Sequence, residues 1–240
     1  MQCSATFHFF HSLNDFFSKS QKNTVVVYRF NPGTSVKDAI EAIGIPHVEV
    51  DSILVNNLPE NFNYILTDSD NVEVFPYSAN ASIKPHPTKF IVDVHLGKLA
   101  RLLRLTGFNT LYANNYTDKE IVTKAVDDNR IALTRDVGLL KHKAITYGYW
   151  LRSQIAEEQL AEIISRFNLL AEIKTFTRCL VCNGEIVPVS KESIIEKLPA
   201  NTKEQFNEFY QCEQCKRVYW KGSHYEKMEK FIEQIFLKLG

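Results

Sequence analysis

Hydrophobic and polar residues alternate along the first 80 residues in a pattern that predicts a small α+β module. The runs rich in β-branched and aromatic residues that indicate strands are residues 5–10, 25–30, 53–55 and 72–75. Between the second and third runs, Ser35 is placed to cap a helix that continues through Ile43 and stops at Gly44. The predicted order is therefore strand, strand, helix, strand, strand.

From Phe90 onward the pattern changes to strands and helices in alternation. The apolar runs that predict strands begin at Phe90, Phe108, Arg130 and Ala144. The helices are predicted over residues 94–106, after the capping box Thr117-Asp-Lys-Glu120, and after Ser153 as a cap. Strands that alternate with helices in this way indicate an α/β domain with a parallel sheet.

Two Cys-x-x-Cys pairs, about thirty residues apart, follow the alternating region. Each pair precedes a short apolar run, which is the turn-and-strand form of a zinc ribbon, and an amphipathic helix ends the chain. Four thiolates complete a closed tetrahedral shell, so the sequence predicts structural rather than catalytic zinc on Cys179, Cys182, Cys212 and Cys215. Redox-active or free thiols are the alternative. The fifth cysteine, Cys3, is predicted to be a small core residue.

Composition favours a soluble globular protein, because 45% of the residues are hydrophobic and no apolar run approaches the length of a bilayer span. The N-terminus has neither a basic start nor a signal-like apolar region. Cysteine pairs with metal-ligand spacing suit a reducing compartment. We therefore expect a cytoplasmic protein with no membrane partner.

The net charge of zero conceals an uneven distribution along the chain. Residues 1–80 carry 4 basic and 9 acidic side chains, residues 81–178 carry 15 and 10, and the remainder carry 9 and 9. The middle segment thus has a small positive excess, which is compatible with a polyanionic partner, whereas the first segment would repel one.

Three aspartates stand where an open parallel sheet would gather them. Asp93 and Asp136 each follow an apolar strand, and Asp118 opens the helix between those strands. The carboxyl ends of parallel strands and the starts of the following helices share one crevice, so the three carboxylates are predicted to hold Mg²⁺ or Mn²⁺. Such a metal most often serves phosphoryl transfer, which makes a metal-dependent nuclease the leading hypothesis. Separate helix caps are the simpler alternative, and Glu120 is both a capping residue and a candidate supporting ligand.

Basic residues accompany these carboxylates. Lys98, Arg101 and Arg104 share the polar face of helix 94–106, which is either a solvated face or a track for RNA phosphates. Arg135 could neutralise a phosphate. His224 could contact RNA, although a lone histidine is more often a surface or packing residue.

The ordered motifs resemble a known family. They are Phe90-Ile-Val-Asp-Val-His-Leu-Gly-Lys-Leu-Ala-Arg101, then Leu133-Thr-Arg-Asp136, then the two cysteine pairs and Val218-Tyr-Trp-Lys-Gly-Ser-His224. Together they cover residues 88–230 and resemble the Mut-seven C-terminal ribonuclease domain family. The resemblance implies a PIN-like, Rossmann-like nuclease core with a zinc ribbon, RNA as substrate, and a divalent metal on Asp93, Asp118 and Asp136.

The first segment resembles the ubiquitin-like β-grasp module that often precedes this domain and is similar to small sulfur carriers. Those carriers end in Gly-Gly, whereas Val74-Phe-Pro-Tyr77 runs into a linker without it. Sulfur carriage by the usual route is therefore excluded, which leaves binding of a protein partner or regulation. PIN-like sites often use a fourth acidic residue. Here Gln154-Ile-Ala follows Ser153, and the next acidic residue is Glu157. Either Glu157 is the substitute, or one metal is held weakly until a substrate phosphate completes its ligands, or the site as a whole is weakened.

The resulting layout is a β-grasp domain over 1–78, a linker over 79–88, a PIN-like nuclease domain over 89–175, and a zinc ribbon with a C-terminal helix over 176–240. We expect a metal-dependent ribonuclease. The alternative is a non-catalytic RNA-binding or adaptor protein, in which the ribbon holds RNA and the β-grasp module recruits a partner. A third possibility is that the acidic first segment covers the basic helix face and inhibits it.

Overall fold

The computed structural model describes residues 2–77 and 86–237 of the 240-residue chain. These residues form two compact units, of which the first comprises Met1–Pro87 and Tyr116–Arg152 and the second Thr88–Asn115 and Ser153–Gly240. Most of the predicted linker, residues 79–88, lies outside the described residues. No helix among residues 2–77 and 86–237 is both long enough and apolar enough to cross a bilayer.

The chain contains short strands and helices throughout. Strands β1 to β12 are Cys3–Phe9, Val26–Phe30, Val50–Val55, Leu58–Glu60, Asn71–Pro76, Phe90–Val92, Thr110–Leu111, Ile131–Thr134, Gly148–Trp150, Ile186–Val189, Phe209–Cys212 and Val218–Trp220. Helices α1 to α7 are Val36–Ile43, Gly97–Leu105, Asp118–Asp127, Val137–Leu140, Ala156–Arg166, Ala200–Gln205 and Ser223–Leu237.

Residues 2–76 fold as a β-grasp, as predicted. Their sheet has the strand order β2-β1-β5-β3-β4, with β1 and β5 parallel and the other neighbours antiparallel. Helix α1 begins where the Ser35 side chain accepts a hydrogen bond from the Asp38 amide, and ends at Gly44, whose φ of 132° suits glycine. Its apolar face joins a core of strand residues in which Phe7 and Ile40 are fully buried.

Parallel strand pairs confirm the predicted α/β class. In the second unit β6 pairs in parallel with β7, and in the first unit β8 pairs in parallel with β9. Strand β6 is completely buried, and its carboxyl end leads into Asp93. Strand β8 is likewise buried, and its carboxyl end leads into Asp136. Two of the predicted carboxylates therefore follow buried parallel strands, which is the placement that the sequence predicted.

The cysteine region forms a three-stranded antiparallel sheet, β10-β11-β12, in the second unit. Its own hydrophobic core is small, with Ile194, Leu198 and Phe209 as the buried members. The segment between the two cysteine pairs also contains α6 and β11, which were not predicted because each is only four to six residues long. A core this small needs additional cross-linking to remain folded.

Candidate metal sites and basic surface

The four cysteines converge on one point. Their sulfur atoms all lie within 4.8 Å of one another, with 3.6 Å between Cys179 and Cys215 and 3.3 Å between Cys182 and Cys212. Sulfurs around a tetrahedral zinc, at bonds of about 2.3 Å, would be roughly 3.8 Å apart. The set therefore fits a single tetrahedral metal ion and is compatible with structural zinc.

Matching turns place the two cysteine pairs. In the first, the amide of Asn183 donates to the carbonyl of Cys179 at 2.9 Å; in the second, the amide of Lys216 donates to the carbonyl of Cys212 at 3.0 Å. Asn183 and Lys216 follow the second cysteine of their pairs and both have positive φ, at 70° and 58°. The two halves of the site thus share one backbone geometry, although they are about thirty residues apart in the sequence.

Hydrogen bonds favour the thiolate form of one cysteine. Burial alone would raise the pKa of the Cys179 thiol, but the Tyr219 hydroxyl, 3.0 Å from its sulfur, and the amides of Cys182 and Val181 lower that pKa to about 6. Burial raises the pKa of the other three thiols. Cys179 is consequently a thiolate at neutral pH, which is the form that binds metal. Tyr219 therefore supports the cysteine site through its hydroxyl group.

The ribbon is fixed to the rest of the second unit by a buried arginine. Arg104 is 4% exposed, and its guanidinium donates to the carbonyls of Thr110, Leu180 and Val181. This differs from the prediction that Arg104 lies on the solvent face of α2. The reason is that two of its acceptors, the carbonyls of Leu180 and Val181, belong to the loop of the first cysteine pair, more than seventy residues away. Arg104 therefore has a structural role.

The other predicted basic residues lie at the surface or near it. Lys98 and Arg101 are exposed on α2, and His224 is exposed near the start of α7. Arg135 is half-buried, and its guanidinium donates to the carbonyls of Leu151 at 3.0 Å and Arg152 at 2.7 Å. These two bonds hold Arg135 against the chain that leaves β9. Contact of any of these side chains with RNA remains a prediction.

Two of the predicted acidic residues lie in the second unit. Asp93 is half-buried directly after β6, and its carbonyl accepts the amide of Leu96 at 3.0 Å in a turn that precedes α2. Glu157 is exposed in the first turn of α5. Ser153 does not cap this helix, because the capping position is Ile155, but the Ser153 hydroxyl accepts the Ile155 amide at 3.0 Å.

The remaining acidic candidates lie in the first unit. Asp118 is the exposed first residue of α3, and the predicted capping box is present, with Glu120 accepting bonds from the amide and hydroxyl of Thr117. Both bonds reach the same carboxylate oxygen, Oε2, and they lower the pKa of Glu120. Asp136 caps α4, where its Oδ1 accepts the Gly138 amide at 2.7 Å. The helix caps therefore account for one carboxylate oxygen of Glu120 and one of Asp136.

A metal site needs at least three His, Cys, Asp or Glu side chains whose ligand atoms lie close together. Among residues 2–77 and 86–237, the four cysteines form such a group, with all four sulfur atoms within 4.8 Å of one another. Asp93, Asp118 and Asp136 do not form such a group in the described chain. Their convergence on a divalent ion therefore remains a prediction.

The sequence did not predict the buried ion pair between Glu49 and Arg152 in the first unit. Glu49 is 3% exposed; its Oε2 lies 2.9 Å from Nη2 of Arg152, and its Oε1 accepts the Trp150 amide at 2.6 Å. The Arg152 guanidinium also packs on the rings of Phe16 and Tyr149. Burial alone would lower the pKa of Arg152, but Glu49 raises it, so the arginine stays charged. The one available signal was a glutamate inside the apolar run Val48-Glu-Val50.

Comparison with solved structures adds a partial similarity. The chain is similar to the Haloferax volcanii HVO 2177 protein, known from its solution structure, at 19% identity over 33% of this chain and 88% of that chain. The TM-score of 0.27 is too low for this similarity to carry an argument about fold or function. No curated protein matches the chain.

Comparison with family models identifies both parts of the chain. Residues 2–82 match the Mut7-C ubiquitin model, which agrees with the observed β-grasp. Residues 88–232, more than half of the 240 residues, match the model described as the Mut7-C RNAse domain, which indicates a nuclease-type function. The chain therefore belongs to the Mut7-C RNAse domain family, with a Mut7-C ubiquitin-like domain in front.

Proposed function

We propose that the protein is a metal-dependent ribonuclease with a PIN-like catalytic domain. The observation that carries this proposal is the match of residues 88–232 to a ribonuclease domain family. Asp93 supports it, because this carboxylate follows three residues of β6 that are each 0% exposed. A carboxylate at such a position is costly to desolvate unless a cation or hydrogen bonds compensate its charge.

Asp93, Asp118 and Asp136 would hold Mg²⁺ or Mn²⁺, with Glu157 and Glu120 as supporting carboxylates. Oxygen ligands are the type that these hard cations prefer. When bound, such an ion activates water and neutralises charge on the scissile phosphate. The exposed cations of α2, Lys98 and Arg101, would bind neighbouring RNA phosphates and orient the strand.

The other two parts of the chain have supporting roles in this proposal. The four cysteines would bind zinc, which would hold the ribbon in its folded form without taking part in the reaction. The β-grasp domain ends in Val74-Phe-Pro-Tyr77 rather than in Gly-Gly, so it would bind a protein partner rather than carry sulfur. We place the domain boundaries at 1–78, 89–175 and 176–240, and the location in the cytoplasm.

A second candidate function is RNA binding without catalysis. The observation that favours it is the exposed helix-cap position of Asp136, which explains this residue without a metal. In that case the carboxylates would only repel RNA, and their removal would leave RNA affinity unchanged or increase it. The two candidates therefore predict different effects of neutralising Asp93.

Cleavage of a labelled single-stranded RNA in the presence of Mn²⁺ tests the ribonuclease proposal. We expect wild-type protein to cut the RNA, and Asp93→Asn to lower the rate by about 100-fold or more, because the substitution removes a ligand charge from the catalytic site. Asp127→Asn is a matched control. Asp127 is exposed and is the last residue of α3, whereas the candidate ligand Asp118 is the first.

The control should retain the wild-type rate. Equal cleavage by wild type and Asp93→Asn would remove Asp93 from the mechanism. If wild type fails to cut RNA with Mg²⁺ or Mn²⁺ but binds it in a salt-sensitive way, the non-catalytic function replaces the proposed one.

A further inference from the structure

A cavity of about 610 Å³ lies in the second unit and belongs to neither group of metal-ligand candidates. It is bounded by helix α2, the strands of the cysteine ribbon and the first turns of α7. Cavities of roughly 300 to 1,000 Å³ hold small organic ligands, so this one can accept a nucleobase with its ribose. Its lining combines cationic and aromatic side chains.

The cationic residues of the lining are Arg101, Arg178, Arg217 and Lys221, together with the titratable His224. The described residues that line the cavity include no aspartate or glutamate. Two of the cations have partners outside the lining, because Arg178 pairs with Glu185 at 3.1 Å and Lys221 with Glu208 at 3.4 Å.

Those partners do not neutralise the cavity. The carboxylates of Glu185 and Glu208 are 60% and 71% exposed, and ion pairs at such exposure contribute little free energy. An incoming phosphate can replace either carboxylate at small cost. The lining is consequently complementary to a polyanion.

The aromatic residues of the lining are Phe176, Tyr210, Tyr219, Trp220 and Tyr225. The rings of Phe176 and Tyr225 lie 4.2 Å apart at an angle of 33°, which leaves them packed on each other at the cavity wall. Aromatic faces beside a basic groove are the combination by which proteins bind single-stranded nucleic acid, because bases stack on the rings while phosphates meet the cations. Bases of an RNA duplex are already stacked and cannot be presented in this way.

We propose that this cavity is a binding site for single-stranded RNA, which takes an unpaired base against the aromatic wall and its flanking phosphates on Arg101, Arg178, Arg217 and Lys221. The inference rests on the proposed function and extends it, since it names the substrate as single-stranded and places part of the binding surface on the ribbon. Arg101 lies on α2, the helix that follows Asp93 in the sequence, so the same helix contributes Lys98 and Arg101 to the proposed RNA surface and Arg101 to the cavity.

Binding of a fluorescein-labelled 12-nucleotide RNA tests the site, measured by anisotropy with zinc-loaded full-length protein and no added Mg²⁺ or Mn²⁺. The double variant Arg101→Gln/Arg217→Gln changes two exposed side chains. We expect this variant to bind the RNA about tenfold more weakly. The slope of the logarithm of the association constant against the logarithm of the salt concentration should also become shallower, by about 0.7 for each phosphate that is no longer neutralised. Lys19→Gln, which removes an exposed cation from the first unit, is the control and should change neither value.

Two further measurements separate stacking from charge. Tyr225→Leu should weaken binding by about tenfold without changing the salt slope, because it removes a ring and no cation. A 12-base-pair RNA duplex should bind more weakly than the single strand. Unchanged affinity and slope in the double variant would overturn the proposal. A glutamate-rich peptide that binds as tightly as the RNA would instead assign the cavity to an acidic protein segment.

The outcome is independent of the ribonuclease assay. If the double variant loses RNA binding while wild type does not cut RNA with Mn²⁺, the binding site stands and the enzymatic proposal fails. If wild type cuts RNA while the double variant and Tyr225→Leu bind it normally, the enzymatic proposal stands and the cavity has no role in RNA binding.

Discussion

Zinc removal should unfold the cysteine ribbon. Binding of structural zinc contributes roughly 10 to 16 kcal/mol in small zinc domains, whereas the ribbon's own core has only Ile194, Leu198 and Phe209 as buried members. Cys212→Ser should have the same effect, because Cys212 is fully buried and its replacement leaves the ion with three thiolates. We expect increased hydrogen exchange across β10, β11 and β12 and a zinc content below one ion per chain.

The matched control is Cys3→Ser. Cys3 is half-buried in β1 of the first unit and lies outside the four-cysteine group. This variant should keep a full zinc content and wild-type exchange in the ribbon. A ribbon that keeps its protection in Cys212→Ser, or after treatment of the wild type with a zinc chelator, would show that the metal is not needed for the fold of this region.

Glu49→Gln should strongly destabilise the first unit. It removes the carboxylate that lies 2.9 Å from the Arg152 guanidinium, which is 20% exposed. The acidic partner that remains in the described structure, Asp15, is 3.7 Å away and 38% exposed, so it compensates the arginine charge only in part. Breaking a buried ion pair from one side typically costs about 3 to 5 kcal/mol, because the remaining charge is desolvated and uncompensated. The expected result is a loss of about 3 kcal/mol in the free energy of unfolding in urea, with faster hydrogen exchange of the Trp150 amide.

Lys22→Gln provides the comparison. Lys22 pairs with Asp15 at 3.0 Å, and Asp15 also lies 3.7 Å from Arg152. Because Lys22 and Asp15 are both 38% exposed, the loss in the free energy of unfolding should stay below about 1 kcal/mol. Similar losses in the two variants would mean that Glu49 contributes no more than a surface charge. Unchanged exchange at Trp150 would contradict the role of Glu49 as the acceptor of that amide.

Local signals predicted the parts of the fold that neighbouring residues determine. The Ser35 cap, the stop at Gly44 and the capping box of Thr117 and Glu120 each involve residues close in sequence, and the structure confirms all three. The cysteine spacing likewise predicted the convergence of the four sulfurs. In each case the pattern of side chains directly encodes the local hydrogen bonds or metal geometry.

Long-range contacts explain what the sequence did not predict. Arg104 has the spacing of a solvent-facing residue, but its acceptors Leu180 and Val181 lie 76 and 77 residues further along. Glu49 and Arg152 are 103 residues apart, and neither carries a local sign of its partner. The three aspartates are a similar case, because helix periodicity and strand ends predict where each one lies but not whether their carboxylates share an ion.

Anomalous diffraction from crystals of the wild-type protein soaked in MnCl₂ tests the carboxylate site most directly. We expect a Mn²⁺ peak with oxygens of Asp93, Asp118 and Asp136 at roughly 2.0 to 2.6 Å, and loss of that peak in Asp93→Asn. A map at saturating Mn²⁺ in which no ion contacts Asp93, while the three carboxylates bond only to protein groups, would contradict it.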